Sequence, residues 1–327
     1  MKTKRVYAKI KNMTKNKKLQ SNLLLLLTAF IWGTAFVAQS DAMDSMSTFT
    51  FNFARATVAG LALLAVIYFM ARARKKRNEA APEAAPGGKK ALIVGGVVCG
   101  AVLAVASALQ QMGIEYDINV GKAGFLTALY IIIVPLAGIF LKKRAHFTIW
   151  ISVLLAVFGM YLLCIKQGLT IETRDLLVIG CAFCYSLHIL VIDHFSPKVD
   201  CVKMSCIQFF VCGALSLAAA LFTDKPVAPA VFAAAWVPIL YSGVMSSAVG
   251  YTLQMLAQRH TSPALASLLM SLESVFAALA GWLLLGQGFT PRELAGCVVM
   301  FAAIVLAQAP DLVASRKDKR LSRDVTE

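Results

Sequence analysis

The residues SNLLLLLTAFIWGTAFVAQS, Ser21–Ser40, run for 20 positions without a formal charge. A bilayer's hydrocarbon core is about 30 Å thick and is crossed by about 20 mostly apolar residues in a helix. The stretch therefore reads as a membrane span. Eight basic residues precede it: Lys2, Lys4, Arg5, Lys9, Lys11, Lys15, Lys17 and Lys18. A basic start, an apolar run and Ala38-Gln39-Ser40 also fit a cleaved signal peptide. Removing the run, however, would leave nine spans and spoil the charge alternation described next.

Working outward, comparable runs recur at Thr48–Ala71, Ala91–Gln111, Ala123–Leu141, Phe147–Ile165, Leu176–Ile192, Met204–Thr223, Trp236–Gln258, Pro263–Leu285 and Leu294–Ala309. The eighth is the least regular, because Pro226, Pro229 and Pro238 lead into it. Composition agrees: 59% of residues are hydrophobic and 15% are charged, against roughly 25% charged in a soluble domain. The net charge of +15 would point to nucleic acid in a soluble protein. Here its placement decides. Taking the loops alternately, 26 of the 32 basic residues fall on one side and five on the other, with Arg55 inside a span. The positive-inside rule then places both termini in the cytoplasm of a plasma-membrane protein. An even number of spans is required, and ten satisfies it. Nucleic acid is not an expected partner. The stretch Arg72–Lys90, with its Pro and Gly residues, reads as a solvated cytoplasmic linker.

The chain also repeats itself. A shift of 153 lays Ala29-Phe30, Trp32, Val37, Arg55 and Gly60 on Ala182-Phe183, Tyr185, Leu190, Gln208 and Gly213. Shifts of 143 and 142 lay Gln111-Met112 on Gln254-Met255 and Phe147-Thr148 on Phe289-Thr290. Each half holds five spans, an odd number, so the second half lies inverted in the membrane. Inverted repeats are a transporter device, in which two interconverting halves enclose one central site. The expected fold is an all-α integral membrane protein of ten transmembrane helices in two inverted five-helix repeats. A cytoplasmic basic tail (1–20) would precede the repeats at 21–165 and 172–309, and a cytoplasmic tail (310–327) would follow.

Trp32-Gly33-Thr34-Ala35-Phe36, Phe53-Ala54-Arg55 with Ala59-Gly60-Leu61, and His260-Thr261-Ser262-Pro263-Ala264 leading into Leu272-Glu273-Ser274-Val275 resemble the EamA family of the drug/metabolite transporter superfamily. The resemblance covers nearly the whole chain. It implies secondary export or uptake of small metabolites, amino acids or drugs, without saying which. The sequence departs from the family pattern at Ser274, where a proline usually follows the glutamate. A serine there is expected to leave the ninth span less kinked, and Val134-Pro135 is expected to mark the break of the first repeat.

Glu273 and Arg55 are the formal charges well inside the spans. A charge at the bilayer centre must face protein or water. Glu273 reads either as a proton-coupling or substrate-ammonium site, since loss of water favours the neutral carboxyl, or as a carboxylate that packs or caps. Arg55, with Asn52 on its face, reads as an anion hook or as a snorkelling structural link. Its counterpart is Gln208. Trp32 and Tyr185 lie at mid-span and could line an apolar pocket, with His188 one turn away, or be core aromatics. In span eight, Ser242, Ser246, Gly250, Gln254 and Gln258 recur every four residues and with Tyr251 suggest a cavity wall. The row Gly96, Gly100, Ala104 and Ala108, ending near Gln110 and Gln111, reads as helix packing. Tyr130 is a weaker site residue. Cys181-x-x-Cys184 lies inside an apolar helix without a second pair, so neither zinc nor a disulfide is inferred.

No phosphate-cradling G-x-x-x-x-G-K-[ST] loop is present, and no cofactor, metal or catalytic residue is expected. The chain reads as a secondary exporter working by alternating access. Its partners are a small-molecule substrate, the lipid bilayer and a proton or another coupling ion, with a homodimer left open. A passive channel is the alternative, and a membrane-embedded enzyme, lacking convergent catalytic groups, comes third.

Overall fold

The computed structural model describes residues 2–43, 45–79, 85–115, 120–143, 146–165, 171–225, 227–285, 288 and 290–323, and side chains among these except at 2–15, 120–121, 284–285 and 310–323. The described residues are almost wholly helical and include no strand. The long helices are α1 (Lys2–Met43), α2 (Thr48–Lys76) and α3 (Gly88–Glu115). Two short ones follow, α4 (Val120–Thr127) and α5 (Tyr130–Phe140). Then come α6 (Phe147–Cys164), α7 (Asp175–Phe195) and α8 (Cys201–Thr223). After the short α9 (Pro229–Ala234) and α10 (Trp236–Leu240), a π-helix covers Tyr241–Tyr251 and α11 covers Thr252–Gln258. The chain closes with α12 (Pro263–Met270), α13 (Glu273–Leu285) and α14 (Pro291–Arg323). Starts are capped as the sequence allows: His146, Asp200 and Ser262 each accept a backbone N–H in the first turn of the helix that follows, satisfying donors the helix itself cannot.

Among the described residues, nine helical segments are long and apolar enough to cross a membrane. The eighth stretch of the sequence reading, Trp236–Gln258, is not one regular helix. It is α10, the π-helix and α11 end to end, and at about 1.5 Å per residue it still approaches bilayer thickness. The linker is also shorter than expected, since α2 runs on to Lys76 and α3 begins at Gly88.

Two spans are broken, and here the expectation for the ninth is overturned. It breaks at Ser271-Leu272 although residue 274 is serine. Leu272 N–H bonds the Leu269 carbonyl and Ser274 N–H that of Ser271, three residues back rather than four. A turn of tight 3₁₀-type bonds redirects a helix without proline. The fourth span breaks the same way, with Leu129 N–H on Leu126 and Ile131 N–H on Ala128. That break lies upstream of Pro135, which sits inside α5, so Val134-Pro135 does not mark it. Shifted by 143, α4 falls on α12 and Tyr130 on Glu273.

Small residues set the closest approaches. A Cβ on Gly159 would lie 2.8 Å from the Gly296 carbonyl, seating α6 on α14. On Gly100 it would meet the Gln208 carbonyl of α8 at 2.6 Å. The small-residue row of span three is thus packing, as its spacing suggests.

Candidate substrate site

A cavity at the centre of the bundle is walled by both halves of the chain. From the first half come Trp32, Phe36 and Gln39 of α1, Arg55 of α2, Gln110 of α3, Thr127 of α4 and Tyr130 of α5. From the second come Tyr185, His188 and Ile189 of α7, Ser246 and Tyr251 of the π-helix, Gln254 of α11, Met270 of α12 and Glu273 of α13. The empty space between them, its open side included, is about 520 Å³.

The backbone irregularities build this cavity. Each break puts one polar group at its wall: Tyr130 and Glu273 are the first residues after the two turns. The π-helix closes on α1 and α2 through glycine. A Cβ at Gly250 would sit 2.6 Å from Trp32 Nε1, and one at Gly243 would sit 2.6 Å from Val58 and 3.0 Å from the Arg55 carbonyl. With that room, Trp32 Nε1 donates to the Ser246 carbonyl at 3.0 Å, and its ring lies 4.7 Å from that of Tyr251. π-Helical turns concentrate at functional sites for this reason, since they re-aim one face of a helix.

The polar groups are tied in a definite pattern. Arg55 Nη1 donates to Gln39 Oε1 at 3.2 Å, and its guanidinium lies 5.6 Å from the Phe51 ring centre. Tyr130 OH donates to Glu273 Oε1 at 3.1 Å. Tyr185 OH donates to Gln110 Oε1, and Gln110 Nε2 to Thr127 Oγ1, both at 3.2 Å. His188 Nε2 and Gln208 Oε1 are 2.9 Å apart. Arg55 is 8% exposed and Glu273 5%, and their hydrogen-bond partners are neutral side chains. The cavity thus presents a cation and a carboxyl, each with donor or acceptor capacity to spare, among five aromatic side chains (Trp32, Phe36, Tyr130, Tyr185 and Tyr251).

Of the residues singled out from sequence, Glu273, Arg55, Trp32, Tyr185, His188, Tyr251 and Gln254 meet at this cavity. Asn52 and Gln208 do not line it. Asn52 is buried with neither amide atom partnered, and Gln208 holds His188 from behind. The span-eight row divides: Ser246 and Gln254 face the cavity, Gly250 meets Trp32, and Gln258 donates to the Ile189 carbonyl. Sequence reasoning missed Gln39, Gln110 and Thr127. A polar residue in the last turn of an apolar run reads as interfacial, and only a helix extending to Met43 makes Gln39 internal.

A helical membrane protein whose two inverted halves share one polar cavity is a secondary-transporter architecture. The comparisons agree. The EamA-like transporter family model matches residues 19–165 and 173–308, and the chain belongs to that family. An uncharacterized transporter of Archaeoglobus fulgidus is 27% identical over 291 residues, 89% of this chain and 86% of the relative. The threonine/homoserine exporter RhtA of Escherichia coli (strain K12) is 27% identical over 229 residues, 63% of this chain and 72% of the relative. A crystal structure at 15% identity superposes with a TM-score of 0.71 over 90% of this chain and 98% of its own, which supports the fold. The family and these relatives are transporters rather than enzymes.

Proposed function

We propose that the protein exports a small amino-acid-like zwitterion across the plasma membrane by alternating access, with the central cavity as its substrate site. The observation that carries this reading is the pair Arg55 and Glu273: opposite charges, both buried, bonded to neutral side chains rather than to one another, and facing one cavity. A carboxylate and an ammonium on one small molecule would satisfy both, the first as a charge-assisted, bidentate bond to the guanidinium. Trp32, Tyr185 and Tyr251 would cover its apolar part, and His188 and Gln254 would meet any polar end. The printed name of RhtA supports export and supports threonine and homoserine as first compounds to test. The excess of basic residues on one side supports cytoplasmic termini. Two five-span repeats at 21–165 and 172–309 would supply the exchanging halves.

Coupling follows from the same site. A proton on Glu273 would be the driving ion, and a homodimer is compatible with the carrier but not needed for it. The test is flux of L-threonine and L-homoserine in proteoliposomes holding the full chain. Saturable efflux that is accelerated by substrate on the far side is expected. Unsaturable conductance would instead favour a channel. For the proton, a pH profile of flux that survives Glu273→Gln unchanged would remove the coupling role.

A further inference from the structure

Tyr130 and Glu273 hold the same register in the two repeats, each directly after its helix break, and they bond one another at 3.1 Å. The contact therefore joins two residues related by the repeat, where the broken spans face each other. Both are buried. Among the described residues, Tyr130 is the hydrogen-bond donor that Glu273 has from a side chain. The neighbouring donors bond groups other than Glu273: Arg55 through one nitrogen to Gln39, Trp32 to the Ser246 carbonyl and Tyr185 to Gln110.

Resting on the substrate-site reading above, we propose that Tyr130 is a stand-in donor, which holds Glu273 while the cavity is empty and yields it to the substrate's ammonium. A carboxyl removed from water needs a donor in every state it visits, because leaving it unmet costs on the order of 1–3 kcal/mol or more. A loaded carrier has that donor in its cargo. An empty one, on its way back, does not, and even with the coupling proton aboard the carboxyl keeps an oxygen that accepts from Tyr130. The tyrosine hydroxyl suits the interval because it is neutral. Its bond is weaker than a charge-assisted bond from an ammonium, so substrate displaces it. An arginine in its place would form an ion pair and close the site against a zwitterion. Because the bond also spans the two breaks, its release on loading frees α4–α5 from α12–α13 in the step that carries substrate.

The consequence separates two fluxes. Net efflux requires the empty return, whereas counterflow exchange does not. In proteoliposomes loaded with radiolabelled L-threonine or L-homoserine, Tyr130→Phe lowers the ratio of net efflux to counterflow about tenfold relative to the unaltered protein, as expected for one lost bond to a charged group. An unchanged ratio, with both fluxes lowered alike or neither, overturns the proposal, since a merely structural role would depress both. A second arm needs no substrate. In the empty protein, hydrogen exchange at the Ser271–Ser274 amides, in the repeat not mutated, rises about tenfold in Tyr130→Phe, and unchanged protection overturns the proposal by itself. If neither amino acid shows saturable counterflow in the unaltered protein, the substrate reading fails while the exchange arm still decides the bond. Should Tyr130→Phe accumulate poorly, Tyr130→Leu is read in both arms with the same outcomes.

Discussion

The fourth and ninth spans carry the same backbone break but are held in place by different physics. Span four, α4–α5, is tied to α7 by charge near both ends. Lys122 Nζ lies 2.5 Å from Asp175 Oδ2, which also accepts the Glu172 N–H at 2.6 Å, and Lys143 pairs with Asp193. Span nine, α12–α13, is held to α1 by shape. A Cβ on Gly33 would lie 2.6 Å from the Glu273 carbonyl and 2.8 Å from the Ala277 nitrogen, and Phe30 meets Phe276 edge to face at 5.4 Å. The position of Asp175 is taken on that side by Asn22, a neutral amide bonded to Thr261 and Gln308. Duplication preserved the device that presents a polar group at the cavity wall. It did not preserve how the device is anchored. On the span-nine side the close approach at Gly33 reaches the backbone of Glu273, the residue that carries the cavity's carboxyl.

The comparison is broken most forcefully at Asp175, which is fully buried. Lys122→Met leaves that carboxylate without its cation and should lower stability by about 3–5 kcal/mol, the usual cost of removing one partner of a buried pair. Thermal unfolding in detergent measures it. Lys122→Met with Asp175→Leu should recover most of the loss, and failure to do so would mean that charge is not what anchors span four. Next in size is Gly33→Ala. The added carbon meets backbone rather than a flexible side chain, so about 1–3 kcal/mol is expected, with a fall in transport. Its counterpart Ser186 already bonds its own helix through the Ala182 carbonyl, and Ser186→Ala should change stability by less than about 1 kcal/mol. Equal effects at the two positions would remove the distinction between the spans. Smallest is Lys143→Ala. Its side chain is 43% exposed, and a partly exposed pair contributes about 0–1 kcal/mol.

The sequence made the architecture legible because it rests on gross quantities: twenty-residue apolar runs, the scarcity of charge within them, and a repeat of five spans. Residues such as Glu273 and Arg55 stood out because a charge within an apolar run must face protein or water. The backbone irregularities were not legible. The breaks at Ala128-Leu129 and Ser271-Leu272 contain neither glycine nor proline and arise from a switch to three-residue bonding that no local residue type announces. Expecting proline to mark them therefore misplaced the first and denied the second. The π-helix hid as a four-residue polar period, which an α-helix displays equally well. Gln110 was read with the small-residue row beside it, since spacing alone does not say which side of a packed helix meets a cavity. Tyr130 gains weight only when the chain is folded, because its partner lies 143 residues away.

The central claim is that two unlike buried charges divide one substrate between them. Initial-rate counterflow of L-threonine in proteoliposomes, compared among the unaltered protein, Glu273→Gln and Arg55→Gln at matched membrane levels, tests it most directly. Each variant should lose at least about tenfold in kcat/KM, the cost of one missing charge-assisted bond. Unaltered kcat/KM in both variants, with transport otherwise saturable, would contradict the account.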